Sequence, residues 1–259
     1  FPPILLMGLR FTFAASILIW WFPIPKSYLK KIFVASLIAN TLQYSVTYTG
    51  LNFIDASAAV LLVQTEVPFG VIFAYFMLNE KPTVRALLGI GIAFIGVYVL
   101  TGSPNLDGKF LGITLVILGS GIWALGQVLV KPLSKEINPI SLVAWLALFS
   151  GPILIALSSL IDGNVLINLK LASLDHWIIA FYLGFIMQPI TYGCFYYVLK
   201  SNPLYKVLPI VTMGIPLTGL LAAIFLLGEK PTSELFIGGA IIVVGVIMII
   251  FKKNKIEKD

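Results

Sequence analysis

The chain has 259 residues, 59% of them hydrophobic and 11% charged, with a formal net charge of +6 and a mean hydropathy of +1.02. Ordinary soluble domains carry about a quarter charged residues, so this composition excludes a water-soluble enzyme and points to a chain that crosses a bilayer many times. A single cysteine, Cys194, precludes an internal disulfide, and a single histidine, His176, argues against a histidine-based metal site.

Apolar runs of about 17 to 25 residues are long enough to cross the hydrocarbon core, and nine such segments fill the chain. In order they are Pro3–Phe22, Ile32–Phe53, Ala56–Leu78, Val84–Leu100, Phe110–Val130, Ile140–Ile161, Trp177–Leu199, Val207–Leu227 and Leu235–Phe251. They are apolar all round instead of alternating over about ten residues, so they predict helices and not the strands of a closed barrel. Residues 162–175 read as the only long loop. Neither a charged leader nor a cleavage site precedes the first run, so no signal peptide is expected.

Basic residues gather in cytoplasmic loops, and here thirteen of the seventeen fall on one side of the predicted topology. That side holds Lys26, Lys30, Lys31, Lys81, Arg85, Lys131, Lys135, Lys200, Lys206 and the tail lysines 252, 253, 255 and 258. The C-terminus is therefore expected to be cytoplasmic. Because the basic residues sit in short loops and not in a patch interleaved with aromatics, no nucleic-acid partner is expected.

The sequence repeats internally. Leu78-Asn79-Glu80-Lys81-Pro82-Thr83 returns as Leu227-Gly228-Glu229-Lys230-Pro231-Thr232, an offset of 149, and Gly89 and Gly96 return as Gly238 and Gly245. Upstream the offset is 148, pairing Tyr44 with Tyr192, Tyr48 with Tyr196 and Pro68 with Pro216. The run Phe110–Val130 has no visible partner, which places its counterpart before Phe1. The expected fold is an all-α membrane protein with nine visible helices of a ten-helix, five-plus-five inverted-repeat plan lacking its first helix. The repeats would span residues 1–105 and 106–259.

On these motifs the chain resembles the EamA-type transporters of the drug/metabolite transporter superfamily. The stretch from Ala56 to Pro68 and the segment Gly121-Ile122-Trp123-Ala124-Leu125-Gly126 are similar to exporters of cysteine and O-acetylserine. The resemblance implies a bacterial-type inner-membrane exporter of small polar metabolites, amino acids or their derivatives, with no cofactor. A nucleotide-sugar or sugar-phosphate carrier of the same fold, or a membrane enzyme acting on a lipid-linked substrate, stands as the alternative.

Polar residues within spans mark the candidate site. Asn40, Tyr44 and Tyr48 recur at steps of four, as do Gln188, Tyr192 and Tyr196 at the matching positions and Trp123, Gln127 and Lys131 on a third helix. They either line a midplane cavity or join helices by hydrogen bonds. With Gln64 they complete the polar candidates. Arg10 and Glu66 are the ionisable groups well inside the spans, and either pair with each other or hold a substrate's carboxylate and ammonium. Pro68 and Pro216 are candidate hinges or packing bends. Glu80 and Glu229, beside Pro82 and Pro231, are expected to cap the helices that they precede.

Overall fold

The computed structural model describes residues 1–23, 26–103, 106–161, 163–212 and 214–250. The tail lysines, Phe251 and Asp162 lie outside the described residues. Among the described residues the structure is helical, without strands.

Helix α1 (Pro3–Leu18) is followed by α2 (Leu29–Ser36), a π-helical turn (Leu37–Leu42) and α3 (Gln43–Leu51), which form one continuous rod. Next come α4 (Ala56–Leu62), a 3-10 turn (Val63–Thr65), α5 (Glu66–Leu78), α6 (Val84–Thr101), α7 (Phe110–Glu136) and α8 (Pro139–Ile161). The remaining helices are α9 (Val165–Leu171), α10 (Leu174–Phe181), a second π-helical turn (Tyr182–Met187), α11 (Gln188–Ser201), α12 (Leu204–Thr212), α13 (Ile215–Leu227) and α14 (Ser233–Ile250).

Five of these runs are long and apolar enough to cross a membrane: Ala56–Leu78, Val84–Thr101, Phe110–Glu136, Pro139–Ile161 and Leu174–Ser201. Pro3–Leu18, Thr218–Leu227 and Ser233–Ile249 are shorter apolar helices. The rod formed by α2 and α3 is less apolar because Asn40, Thr41, Gln43, Ser45 and Thr47 are packed inside it, all buried. Several boundaries differ from the sequence reading, three of them with a clear physical reading. Helix α1 stops at Leu18, and Trp20 and Trp21 beyond it are about 80% exposed (81% and 78%), as expected of aromatic residues at a membrane interface. Helix α7 runs through Pro132 to Glu136, six residues past the expected end at Val130. The segment read as a long loop contains α9, which begins where Asn164 Oδ1 accepts the Ile167 N–H at 3.2 Å, an N-cap that the Asn-rich sequence masked as turn chemistry.

Helices meet where glycine lets backbones touch. A Cβ placed on Gly89 would lie 2.6 Å from the Gly245 carbonyl oxygen, and one on Gly96 would lie 2.8 Å from that of Gly238. The α6–α14 contact is thus a cross-pairing of the four repeated glycines. Helices α1 and α8 meet likewise, through Gly8 against the Ile155 backbone and Gly151 against that of Thr12. In lipid, where apolar burial gives little drive between helices, this close approach supplies the dispersion contact that holds them together.

A side chain at these contacts has nowhere to go, so Gly96→Leu is expected to cost about 1–3 kcal/mol by overpacking. The matched control is Gly91→Ala, because a Cβ at Gly91 meets nothing within 4 Å. Thermal denaturation in detergent followed by size-exclusion chromatography should show a lower midpoint for the first variant and an unchanged one for the second.

Candidate functional site

The candidate site lies where the helical rods are irregular. The π-helical turn Leu37–Leu42 delivers α3 with Tyr44 facing inward, and the turn Tyr182–Met187 does the same for Tyr192 on α11. The two phenol oxygens, at positions 148 apart in the sequence, meet at 3.1 Å. Tyr48 stacks on Tyr44 at 5.6 Å, and Tyr196, fully buried, lies 5.8 Å from Tyr192. Of the two pairings given by the repeat, Tyr44 and Tyr192 are thus in contact, and Tyr48 and Tyr196 each pack on the tyrosine of their own helix. Trp123 packs at the edge of this group, 6.2 Å from Phe195.

Arg10 enters from α1. Its guanidinium sits 5.9 Å from the ring centres of both Phe11 and Tyr192, and Nη1 is 3.8 Å from the Met7 sulfur. Its Nε is buried with no hydrogen-bond partner. The ion pair with Glu66, one of the two alternatives in the sequence, is not formed: among the described residues the ion pairs are Lys109–Asp55 and Lys131–Glu80. The reason is packing, because α1 lies on α8, α3 and α11, while α5 lies on α7 and α12. Glu66 is buried where the 3-10 turn Val63–Thr65 passes into α5, and its Oε1 has no partner.

The amides divide into two kinds. Asn40 is committed to a helix joint, its Nδ2 donating to Ser150 Oγ at 3.1 Å, and Gln64 Nε2 donates weakly to the Thr212 carbonyl at 3.4 Å. Gln127, with no exposure at all, has both amide atoms unpartnered, and so does Gln188 at Oε1. Buried polar atoms are normally satisfied; among the described residues Arg10, Glu66, Gln127 and Gln188 carry atoms that are not, as do Thr41, Gln43 and Ser45. Pro68 and Pro216 are buried just after interruptions of their helices: α5 begins at Glu66 after the 3-10 turn, and α13 begins at Ile215 after α12 ends at Thr212.

The repeated glutamates correct the sequence reading. Local caps are made by the threonines, with Thr83 Oγ1 accepting from the Ala86 N–H at 3.2 Å and Thr232 Oγ1 from that of Leu235 at 3.4 Å. The carboxylates reach across the molecule instead. Glu80 accepts the N–H groups of Leu204 and Tyr205 at 3.2 and 3.4 Å, at the start of α12. Glu229 accepts those of Ala56 and Ser57, both at 2.9 Å, at the start of α4. Each glutamate follows a left-handed residue, Asn79 with φ 55° or Gly228 with φ 69°, and its own N–H returns to Ala74 or Ala223. This helix ending turns the side chain toward the opposite half. Burial pushes the Glu229 pKa up, but the hydrogen bonds from Ser57 and Ala56 outweigh it and hold the carboxyl below its ordinary value.

Lys131 was missed as a structural group. It is buried, with Nζ 3.5 Å from Glu80 Oε1 and donating to the carbonyls of Leu199 (3.3 Å) and Asn202. One lysine therefore joins α7, the end of α5 and the turn between α11 and α12. The recurrence of Glu80 and Glu229 at an offset of 149 was the available signal for these long-range contacts.

A model of the EamA-like transporter family matches residues 1–102 and 110–251. A protein of Escherichia coli named "Probable amino-acid metabolite efflux pump" is 29% identical over 259 residues, covering 96% of this chain and 86% of that protein. The protein of the same name from Salmonella typhimurium is 30% identical over 260 residues, with the same two coverages. A crystal structure of another protein shares the fold, with a TM-score of 0.68 at 17% identity over 96% of this chain and 88% of its own. Helices apolar enough to span a membrane and a family model matched along nearly the whole length lead to one assignment: the chain belongs to the EamA-like transporter family.

Proposed function

We propose that this transporter exports small polar metabolites, amino acids or their derivatives, from the cytoplasm across a bacterial-type inner membrane by alternating access. The observation that carries this reading is the buried guanidinium of Arg10, with its Nε unpartnered, beside the Tyr192 ring and the opposed phenols of Tyr44 and Tyr192, together with further unpartnered polar atoms on Glu66, Gln127 and Gln188 inside the helices. Polar atoms inside a bilayer are costly unless a partner or a ligand meets them. A zwitterion suits one cation and one carboxylate that do not neutralise each other: Arg10 takes the substrate's carboxylate, Glu66 its ammonium, and the tyrosines and Trp123 its side chain. The names of the Escherichia coli and Salmonella relatives point to the same substrate class.

In this reading residues 1–105 and 106–259 are inverted repeats with the C-terminus cytoplasmic, and they rock about the tyrosine pair. The support is that sequence-equivalent positions face each other, Tyr44 with Tyr192 and Gln64 with Thr212, and that the helix interruptions before Pro68 and Pro216 offer matched hinges. The glutamate contacts close one face each and release in alternation.

Counterflow in proteoliposomes tests the substrate assignment. Labelled amino acids should exchange, and Glu66→Gln or Tyr192→Ala should lower the exchange by about tenfold or more, the order expected for losing a charge-assisted contact. Exchange of a hexose phosphate or a nucleotide sugar that survives both substitutions would overturn the amino-acid reading.

The gate reading predicts a different kinetic signature for Lys131→Met. Lys131 holds the α11–α12 turn and not the substrate, so turnover should change by about fivefold or more while KM stays within about twofold. A large rise in KM at constant turnover would move Lys131 into the binding site.

A further inference from the structure

A cavity of about 960 Å³ lies apart from the tyrosine cluster, none of whose tyrosines lines it. Its walls come from the start of α2, the end of α5 and the end of α7, and α11 and α12 contribute none of them. It is thus a cleft lined by α2 and α5 of the first repeat and by α7 of the second, with none of the clustered tyrosines in its wall. Four lysines line it, Lys30, Lys31, Lys131 and Lys135, against two glutamates, Glu80 and Glu136. Lys131 is engaged by Glu80, whereas Lys30, Lys31 and Lys135 are exposed and take part in none of the described ion pairs. The rest of the wall is apolar and open to the surroundings, with Val34 42% and Met77 48% exposed.

The depth of the cleft follows from helix length. The 27 residues of α7 extend about 40 Å, and the hydrocarbon core is about 30 Å thick. The last turns of α7, which carry Lys131 and Lys135, therefore reach the headgroup layer. Lys30 and Lys31 stand at the same level, in the first turn of α2 before its apolar run. A basic rim at headgroup height over an apolar, outward-facing wall fits a molecule with an anionic head and hydrocarbon tails. Basic pockets between spanning helices on the cytoplasmic side bind such headgroups.

We propose that this cleft is a binding site for an anionic phospholipid, with the phosphodiester held by Lys30, Lys31 and Lys135 and an acyl chain laid along Val34 and Met77. The site shares a wall with the Glu80–Lys131 contact that pins the start of α12. An occupied cleft therefore adds negative charge beside Lys131 and competes with Glu80 for it, which couples lipid composition to that contact.

Native mass spectrometry of the purified chain in detergent, titrated with phosphatidylglycerol or phosphatidylcholine, tests the proposal. Phosphatidylglycerol should be retained preferentially, and Lys30→Gln/Lys31→Gln/Lys135→Gln should weaken its retention by about tenfold or more. Arg85→Gln/Lys200→Gln/Lys206→Gln removes as much charge from the same side without touching the cleft, and should leave retention within about twofold. The arginine triple variant at positions 30, 31 and 135 should retain the lipid, which separates charge loss from misfolding. Equal weakening by the two glutamine sets, or no preference between the two lipids, would overturn the site. Displacement of bound phosphatidylglycerol by millimolar inorganic phosphate would show a soluble anion as the occupant and overturn the lipid assignment.

Discussion

A helix that starts inside or at the edge of a bilayer exposes backbone N–H groups that neither its own turns nor water can satisfy. In this protein the helices α4 and α12 meet that constraint with a carboxylate from far along the chain: Glu229 for α4 and Glu80 for α12. Both carboxylate oxygens are used at each end, and the negative charge also meets the positive end of the helix dipole. The contacts bind residues more than 120 positions apart, so neither helix start can move away without leaving its N–H groups bare. The two ends differ in one respect. Glu80 carries a buried lysine as counter-charge, whereas Glu229 lies near the partly exposed pair Lys109–Asp55 at 3.4 Å. A buried ion pair broken by removing one partner leaves the other charge uncompensated, so the Glu80 end is the more tightly locked.

Between these two ends the polar interior is organised by irregular helix. The π-helical turns before Gln43 and Gln188 and the 3-10 turn before Glu66 rotate side chains that a straight helix would send elsewhere. Such turns free backbone groups and shift helical register, and here they immediately precede Gln43, Gln188 and Glu66, three of the residues with unpartnered polar atoms. The sequence placed Asn40 among these, but its amide serves the α8 joint through Ser150, while Gln127, one turn of α7 beyond Trp123, is left with both atoms unpaired. What distinguishes the two amides is the facing helix: α8 presents a serine hydroxyl to one, and no such group meets the other.

Much of this was legible in the residues because the duplication ties position to position. Offsets of 148 and 149 matched Tyr44 to Tyr192 and the glycines of α6 to those of α14; the matched phenols are in contact, while the glycines meet in crossed order, Gly89 with Gly245 and Gly96 with Gly238. The same offsets were silent on direction. Nothing local to the Glu-Lys-Pro-Thr segment distinguishes a carboxylate that caps its own helix from one that caps another, because both begin at the same left-handed turn. The partner of Lys131 was illegible for the same reason, since a lysine near a helix end ordinarily extends to the interface. Arg10 and Glu66 are alike in depth, but depth along a helix axis carries no information on which neighbours the helix will have.

The distribution of glycine and of polar side chains completes the physical division of the molecule. Where α6 meets α14 and α1 meets α8, glycines bring backbones into contact. Rods joined in this way resist relative motion, because any slide drives a side chain into a neighbouring backbone. The helices that carry the tyrosines, Glu66 and the paired prolines are instead interrupted near their middles. Bending at an interruption disturbs fewer regular intrahelical hydrogen bonds than bending an unbroken helix does. The close-packed and the interrupted parts of the chain are thus distinct: glycine-mediated backbone contact holds α1 to α8 and α6 to α14, while the breaks fall in the helices that carry the tyrosines, Glu66 and the paired prolines.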